Sequence, residues 1–273
     1  MVATRLRVVS WNIRAAIGPG PFPDRWWRRI DAGRLRAIGA FLIGLDADVI
    51  ALQEVALASR DGDLVDNAGD LARQLRMDVR YAAARTFEVQ EDERLVGVGC
   101  FGNAVLSRRP MHASRTVALP AAPSNAFVEP PEADHPAAGI RYADAPPTIR
   151  EARCLLLADV DGLTVGTAHF SHIGSGERLL QAEATAAAFA DGSPALLVGD
   201  LNAAIEASEL APLAAWADGF AEPPDDPARI STDDGWRIDH VLVRGASVSA
   251  CGVVRESGDL SDHYPVVAEV TVR

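Results

Sequence analysis

Side chains of the types that bind metal ions and phosphate recur at the borders of apolar runs along this 273-residue chain. Five such groups follow an apolar run of strand length, and a sixth stands just before the last run. The groups are Asn12, Gln53-Glu54, His169, Asp200 with Asn202, Asp239-His240 and Ser261-Asp262-His263. One carboxylate at a strand end is usually a cap or turn residue. Because α/β proteins place ligands at strand ends, six such borders indicate one shared site.

The donor types indicate which cation such a site would take. Carboxylates gathered in one cleft repel one another, and a bound cation offsets that cost. The oxygen donors of Glu54, Asp262 and Asn12 suit Mg²⁺ or Mn²⁺. A zinc site would need several His or Cys at close spacing, and His169 with His172 has no third such residue near in sequence. We therefore expect Mg²⁺, with Mn²⁺ as an alternative.

Spacing limits how these residues can share a site. Asp200 and Asn202 are two apart, so in an extended backbone they face one way and can touch the same phosphate or water. Asp262 and His263 are adjacent and would point to opposite faces of a strand, so we expect them in a turn. Together with Ser261 they cannot form a serine-protease relay, because consecutive residues do not reach one another in that way. The chain also has no P-loop and no nucleophile elbow.

The charge of the chain argues against one class of function. With 26 Lys+Arg against 38 Asp+Glu, the formal net charge is -12. A protein that holds long nucleic acids needs a broad basic face, and this field repels polyanions. A local basic groove stays open as an alternative, because five arginines cluster at positions 25, 28, 29, 34 and 36.

The cysteines and the N-terminal residues indicate the compartment. Cys100, Cys154 and Cys251 are odd in number and lie in apolar stretches, which indicates reduced thiols in the core. Residues 1–7 lack the apolar core of a signal peptide, and no run approaches the roughly 18 apolar residues of a membrane span. We expect a cytoplasmic protein without a transmembrane segment; the oligomeric state is not predicted.

Hydrophobic spacing predicts the elements that must position these residues. Strands are predicted at 6–11, 48–52, 79–83, 98–107, 153–160, 163–168, 195–198, 238–243, 247–253 and 264–272. Helices are predicted at 34–45, 66–75, 177–189 and 208–216. Early strands alternate with helices and later strands follow as hairpins, so we expect mixed sheets with helices outside.

The segments between these elements are interpreted as loops that would select the substrate. They are residues 13–30, with Trp26 and Trp27, and residues 56–66, 85–97 and 120–147. Because none of them divides the chain as a linker, residues 1–273 are expected to form a single domain.

An ordered set of motifs resembles the endonuclease/exonuclease/phosphatase superfamily. The motifs are Ser10-Trp11-Asn12, Leu52-Gln53-Glu54-Val55, Gly102-Asn103-Ala104, Gly199-Asp200-Leu201-Asn202-Ala203, Arg237-Ile238-Asp239-His240 and Ser261-Asp262-His263-Tyr264-Pro265-Val266. Each alone is weak, but together they span residues 10 to 266. The resemblance implies a four-layer α/β/β/α sandwich, in which two mixed β-sheets pack face to face with helices outside and the active site lies at one edge.

The resemblance also implies a role for each metal or catalytic position. Glu54 would be the main Mg²⁺ ligand, helped by Asn12 and Asp262. His263 would be the base that activates water, or a positioning cation, and Asp239 would hold its imidazole in the right tautomer.

Further roles concern the substrate phosphate. Asp200 and Asn202 would align water or bind the phosphate, and the base role stays open between Asp200 and His263. His169 would donate a hydrogen bond to the developing charge on the phosphoryl group. Asn103 would contact the phosphate or support the Asp200 loop.

The sequence departs from the family pattern at Arg14, where some nucleases have an acidic residue, and at Ala56, where abasic-site enzymes have a basic one. These differences argue against abasic-site repair. We expect a Mg²⁺-dependent phosphoester hydrolase, with a small or lipid-like substrate favoured because of the charge. The alternatives are an endonuclease or exonuclease acting on DNA or RNA, and a catalytically silent binding module of the same fold.

Overall fold

The computed structural model describes residues 3–20, 29–60, 63–91, 94–121, 152–172, 174–189 and 192–272. Trp26, Trp27, Arg25 and Arg28 lie outside these ranges, as does nearly all of the predicted loop 120–147.

The first sheet, sheet A, contains seven strands in the described residues. They are β1 (Thr4–Asn12), β2 (Val49–Arg60), β3 (Asp63–Asp66), β4 (Asp78–Glu91), β5 (Arg94–Ser107), β12 (Ala246–Val253) and β13 (Val266–Val272). Their order is β12-β13-β1-β2-β5-β4, and β3 pairs with β2. The β1–β2 pair is parallel and the other pairs are antiparallel, so the sheet is mixed.

The second sheet, sheet B, contains six strands in the part of the chain that the structure describes. They are β6 (Met111–Leu119), β7 (Arg153–Val160), β8 (Leu163–His169), β9 (Ala195–Asp200), β10 (Ala217–Asp218) and β11 (Asp239–Arg244). Their order is β10-β11-β9-β8-β7-β6, with β8 and β9 parallel. The two sheets carry the predicted site residues at the ends of β1, β8 and β9 and at the start of β11.

Three helices cover the outer faces of the sheets in the described part of the chain: α1 (Ala32–Leu45), α2 (Asn67–Leu75) and α3 (Ser175–Ala188). One apolar cluster, which includes Val8 and Val165, lies between the sheets. A second joins sheet A to α1 and α2, and a third joins sheet B to α3. These layers confirm the predicted four-layer sandwich.

Two of the helices, α1 and α2, begin where the sequence supplies a capping aspartate. The side chain of Asp31 accepts hydrogen bonds from the amides of Gly33 and Arg34, at 2.6 and 3.1 Å, and so caps α1. Asp66 caps α2 by accepting from the amide of Gly69 at 2.8 Å. Each bond satisfies amides that the first helical turn leaves unpaired, which explains why these helices start at aspartates.

Some predicted elements were wrong. The helix predicted at 208–216 is a short 3₁₀ turn over Ser208–Leu213, because Pro212 has no amide hydrogen to continue an α-helix. Much of the predicted loops 56–66 and 85–97 is strand: β2 continues to Arg60 and pairs with β3, while β4 and β5 extend as a ladder. The strand β6 was not predicted.

The cysteines of the chain are free thiols, as predicted, but only Cys154 is fully buried; Cys100 and Cys251 are partly exposed. The expectation that all three lie in the core is therefore wrong for two of them. Cys251 nevertheless packs against the apolar cluster that lies between the two sheets.

Buried amides tie the two sheets together directly beneath the strand ends. Gln53 of β2 donates to the hydroxyl of Thr167 on β8 at 2.8 Å and to that of Ser10 on β1 at 3.3 Å. Asn103 of β5 donates to the carbonyl of Cys154 on β7 at 2.9 Å. Since buried polar groups are costly unless bonded, these contacts hold the sheets at one separation near the site.

Gly199 shows how tightly β8 and β9 approach at this edge. Its φ is +141°, and a Cβ placed there would lie 2.0 Å from the carbonyl oxygen of Ala168. A side chain at this position would therefore push apart the strands that carry His169 and Asp200.

We predict that Gly199→Ala lowers the free energy of unfolding by roughly 2–5 kcal/mol, from backbone strain and overpacking together. Equilibrium urea unfolding followed by circular dichroism measures this change. The control is Gly252→Ala on β12, where an added Cβ meets nothing within 4 Å, and it should stay within about 1 kcal/mol of wild type. A Gly199→Ala protein as stable as the control would contradict this packing argument.

Candidate active site

Sheet B contributes one row of polar side chains. His169 of β8 pairs with Asp200 of β9 in register, and Asp200 pairs with Asp239 of β11. Directly paired residues project from the same face of a sheet, so the three side chains stand next to one another. All three are buried, with exposures of 5%, 2% and 2%.

Sheet A contributes Asn12 and Glu54 through an irregular strand end. The β2–β5 register shifts between Leu52 and Val55, and Glu54 lies in this bulge with a φ of 53°. Bulges redirect side chains, and left-handed backbone at a non-glycine residue is strained. This local geometry turns the Glu54 carboxylate toward Asn12, whose Nδ2 donates to Oε1 at 3.2 Å.

The segment Ser261–His263 lies outside β13, as the adjacency of Asp262 and His263 predicted. The Ser261 hydroxyl donates to the carbonyl of Asn12 at 2.7 Å. The indole Nε1 of Trp11 donates to the carbonyl of His263 at 2.8 Å. Both bonds attach this segment to the end of β1 and so place Asp262 and His263 beside Glu54.

His263 lies between two carboxylates. Its Nδ1 is 2.8 Å from Oδ2 of Asp239, and its Nε2 is 3.6 Å from Oδ2 of Asp200. Burial alone would lower the pKa of His263, but the carboxylates of Asp239, Asp200 and Asp262 outweigh burial and hold the pKa well above its ordinary value. The Asp239 contact also determines which ring nitrogen faces Asp200.

Asp200 lies close to site residues that come from both sheets. Its Oδ2 lies 3.2 Å from Nδ2 of Asn12, 3.3 Å from Nε2 of His169 and 3.6 Å from Nε2 of His263. Burial raises the pKa of Asp200 to about 7, and the Asp239 carboxylate acts in the same direction, while His263 opposes it. Burial and the neighbouring carboxylate therefore both favour the protonated form of Asp200.

Glu54 carries a sign of an absent partner. Its Oε2 is buried and has no hydrogen-bond partner among the described residues. Burial raises the pKa of Glu54, the Asp262 carboxylate raises it further, and Arg153 opposes both. A buried carboxylate oxygen without a donor is costly, and a cation between Glu54 and Asp262 would remove that cost.

The donors near Glu54 fit a hard divalent ion better than zinc. Within the described ranges, no three His, Cys, Asp or Glu side chains are grouped as a complete metal cage. Mg²⁺ does not need one, since it commonly binds through one or two carboxylates and keeps several waters. Glu54 and Asp262 supply two such carboxylates, and the Asp262 side chain is 27% exposed to solvent.

Asn12 presents its nitrogen to Glu54, not its oxygen. The backbone amide of Arg14 donates to Oδ1 of Asn12 at 3.0 Å, and this bond determines the orientation of the side-chain amide. Nδ2 then donates to both Glu54 and Asp200. For Asn12 to ligate a metal, its amide would have to turn over, so that role stays a prediction.

Asn202 and Asn103 are bonded to main-chain groups. The predicted alignment of Asn202 with Asp200 assumed an extended backbone. The structure differs from that prediction, because the φ of Asn202 is 51°. Its backbone amide donates to Oδ1 of Asp200 at 3.0 Å, and its Nδ2 donates to the carbonyl of Phe170 at 2.9 Å. The Nδ2 of Asn103 is bonded beneath the site to Cys154, so a phosphate contact by either residue stays a prediction.

Arg14 belongs to the site, although sequence reasoning treated it only as a departure from the family pattern. Its Nε lies 3.1 Å from Oδ2 of Asp262, and its side chain is 8% exposed. Its position two residues after Asn12 was the signal that could have identified it.

His240, by contrast, is buried with Nε2 2.8 Å from the carbonyl of Ala203, and burial lowers its pKa.

Helices long and apolar enough to cross a bilayer do not occur among the residues that the structure describes.

Solved structures of low sequence identity share this fold. An endonuclease/exonuclease/phosphatase from Beutenbergia cavernae is 22% identical, with a TM-score of 0.71, and the match covers 98% of this chain and 72% of that one. The human Nocturnin catalytic domain with bound sulfate is 14% identical, with a TM-score of 0.65 and coverages of 97% and 93%. D. rerio TDP2 with a single-strand DNA product is 17% identical, with a TM-score of 0.59 and coverages of 98% and 99%.

No curated protein sequence matches the chain significantly. The sequence model of the endonuclease/exonuclease/phosphatase family matches residues 9–263, a range that contains every site residue described above. Because this match runs over nearly the whole chain and the two-sheet sandwich agrees with it, the chain belongs to the endonuclease/exonuclease/phosphatase family.

Proposed function

We propose that this chain is a Mg²⁺-dependent phosphoester hydrolase, in which Glu54 and Asp262 hold the ion. The observation that carries the proposal is the buried Oε2 of Glu54, which has no hydrogen-bond partner among the described residues. It lies at the same strand edge as the Asp200–His263–Asp239 group. Members of the family are generally phosphoester hydrolases that use divalent ions, which agrees with this arrangement.

The side chains supply the parts that phosphoester hydrolysis needs. When bound, the divalent ion would neutralise phosphate oxygens and stabilise the leaving group. The Asp200–His263 pair would take up the proton of the attacking water, because the two groups face each other across 3.6 Å. Asp239 would keep Nδ1 of His263 protonated, so that Nε2 stays directed at Asp200.

His169 would donate a hydrogen bond to the phosphoryl group as negative charge develops there in the transition state. It lies between the carboxylates of Glu54 and Asp200, with Nδ1 3.8 Å from Oε1 of Glu54. A donor held in advance at this position would stabilise charge as it develops on the phosphoryl oxygens. Asn202 and Asn103 would act mainly by holding the loops of Asp200 and His169 in place.

The substrate we favour is a small or lipid-like phosphoester. The net charge of -12 disfavours a long polyanion. Arg34, one of the clustered arginines, donates to the backbone carbonyl of Asp259 and so is engaged within the protein.

A nuclease acting on DNA or RNA is the second candidate. It is favoured by the likeness to a structure that holds a single-strand DNA product. Binding of DNA or RNA that weakens steeply with salt would support the nuclease.

The test is a hydrolysis panel with Mg²⁺ or Mn²⁺ over bis-p-nitrophenyl phosphate, inositol phosphates, phospholipids, plasmid DNA and RNA. We predict that His263→Ala lowers kcat on the best substrate by about 10²–10⁴-fold, since it removes half of the proton-accepting pair. The matched control is His112→Ala, an exposed histidine on β6, which should leave kcat unchanged. No hydrolysis of any substrate would favour a silent binding module, and hydrolysis that His263→Ala leaves unaffected would contradict the role proposed for His263.

A second prediction concerns stability without metal. The pKa values of Asp200, Glu54 and His263 are all raised in the folded state, so the folded state binds more protons than the unfolded chain. These three groups make stability fall as pH rises, and His240, whose pKa is lowered by burial, offsets part of the loss below its unfolded value of 6.5. For Asp200 the loss accumulates from its unfolded value near 3.8 up to about 7, and for His263 it continues above 6.5.

In EDTA, we expect the free energy of unfolding to fall by roughly 2–4 kcal/mol between pH 5 and pH 9. Urea unfolding at fixed temperature measures it, and Asp200→Asn should flatten the decline because the amide does not titrate. Saturating Mg²⁺ should flatten it as well, since the ion binds the ionised carboxylates of the folded state. A metal-free stability that stays level or rises over this range would contradict the described charge arrangement.

A further inference from the structure

The two members of the Asp239–His263 pair come from different parts of the fold. Asp239 is the first residue of β11 in sheet B, while His263 lies in the segment that precedes β13 of sheet A. The 2.8 Å contact between Nδ1 of His263 and Oδ2 of Asp239 therefore depends on what joins these two chain segments. Ser231, which lies in neither strand, contacts both of them.

The main chain at Ser231 holds the segment that carries His263. The carbonyl of Ser231 accepts a hydrogen bond from the amide of Tyr264 at 2.7 Å. Thr232, the next residue, forms an antiparallel bridge with His263. These contacts place the backbone of His263, and of the residue after it, directly against Ser231 and Thr232.

The side chain of Ser231 holds the strand that carries Asp239. The hydroxyl oxygen accepts from the amide of Asp239 at 3.2 Å and from that of Ile238 at 3.4 Å. The same hydroxyl donates its proton to the carbonyl of Trp236 at 3.4 Å. Ser231 is fully buried, so solvent offers these two amides no replacement for the hydroxyl.

The carboxylate of Asp239 depends on this support. Within the described residues it makes its hydrogen bond to His263, and its Oδ1 is buried without a hydrogen-bond partner. The place of the carboxylate is therefore decided by where the backbone of Asp239 lies. Charge-assisted hydrogen bonds are short, so a small displacement of that backbone weakens the bond to Nδ1 of His263.

We infer that Ser231 is a positioning residue that sets the contact between Asp239 and His263. Its carbonyl acts on the His263 side and its hydroxyl on the Asp239 side. The inference rests on the proposed function, because it takes this pair as part of the machinery that accepts the proton of the attacking water. It adds a residue that none of the sequence motifs contains.

The first test observes the Nδ1 proton of His263 by nuclear magnetic resonance, which requires neither metal nor activity. A proton in a short charge-assisted bond to a carboxylate resonates far downfield of ordinary amide protons, and its loss in His263→Ala assigns it. We predict that Ser231→Ala moves this resonance upfield or removes it, because the Asp239 carboxylate is displaced.

The matched control is Ser107→Ala, which should leave the resonance in place. Ser107 is also buried, and its hydroxyl also accepts from a backbone amide, that of Arg109 at 2.9 Å. It lies at the end of β5 that pairs with Val49, the first residue of β2, and it contacts neither Asp239 nor His263 among the described residues.

The second test is a double-mutant cycle on kcat with the best substrate of the hydrolysis panel. Ser231→Ala should lower kcat by about 10–100-fold with KM little changed, since the pair is misplaced while the phosphate contacts remain. In an Asp239→Ala background the same substitution should change kcat by less than about twofold, because the side chain that Ser231 positions is gone. A serine that only stabilised the fold would cost the same factor in both backgrounds.

Circular dichroism checks folding, and Ser231→Cys, whose sulfur is a weak acceptor, replaces Ser231→Ala if that variant does not fold. An unmoved Nδ1 resonance in a folded variant, or equal losses of kcat in the two backgrounds, would overturn the inference. A wild type that hydrolyses no phosphoester would instead overturn the proposed function, and the resonance would still test Ser231.

Discussion

The burial of carboxylates at the junction of the two sheets is the constraint on which this structure depends. Asp200 and Asp239 are 2% exposed, and Oε2 of Glu54 is shielded from solvent. Ionised groups in such a place are stable only with compensating charge. The protein supplies part of it through His263, Arg14 and the amide of Asn12, and the remainder is what a divalent ion would contribute.

The fold brings these groups together because two sheets end at one edge. Sheet B presents His169, Asp200 and Asp239 as one register row, while sheet A presents Asn12 and the bulged Glu54. The cross-sheet hydrogen bonds of Gln53 and Asn103 lie just beneath. A small change in the sheet separation would therefore change the distances between the side chains that we propose as catalytic.

Sequence patterns were sufficient to predict the layers of the fold and most of the residues that meet at the site. Apolar runs and the polar residues at their ends directly indicate which parts of a strand are buried. The motifs identified the residues that converge, and the adjacency of Asp262 and His263 correctly required a turn. Three features depend on tertiary contacts and were not predictable: the orientation of Asn12, the left-handed backbone of Asn202 and the ion pair of Arg14. The extensions of β2, β4 and β5 were missed because their strands carry polar residues and glycine, which resemble loops.

The most direct test of the account is a crystal structure with Mn²⁺ bound, with the ion located by its anomalous scattering. We predict a peak between Glu54 and Asp262, with an oxygen of Glu54 at about 2.1 Å from the ion, near the coordination distance of Mg²⁺. A peak elsewhere on the molecule would contradict it. So would a map in which Oε2 of Glu54 is satisfied by a protein donor and no ion is present.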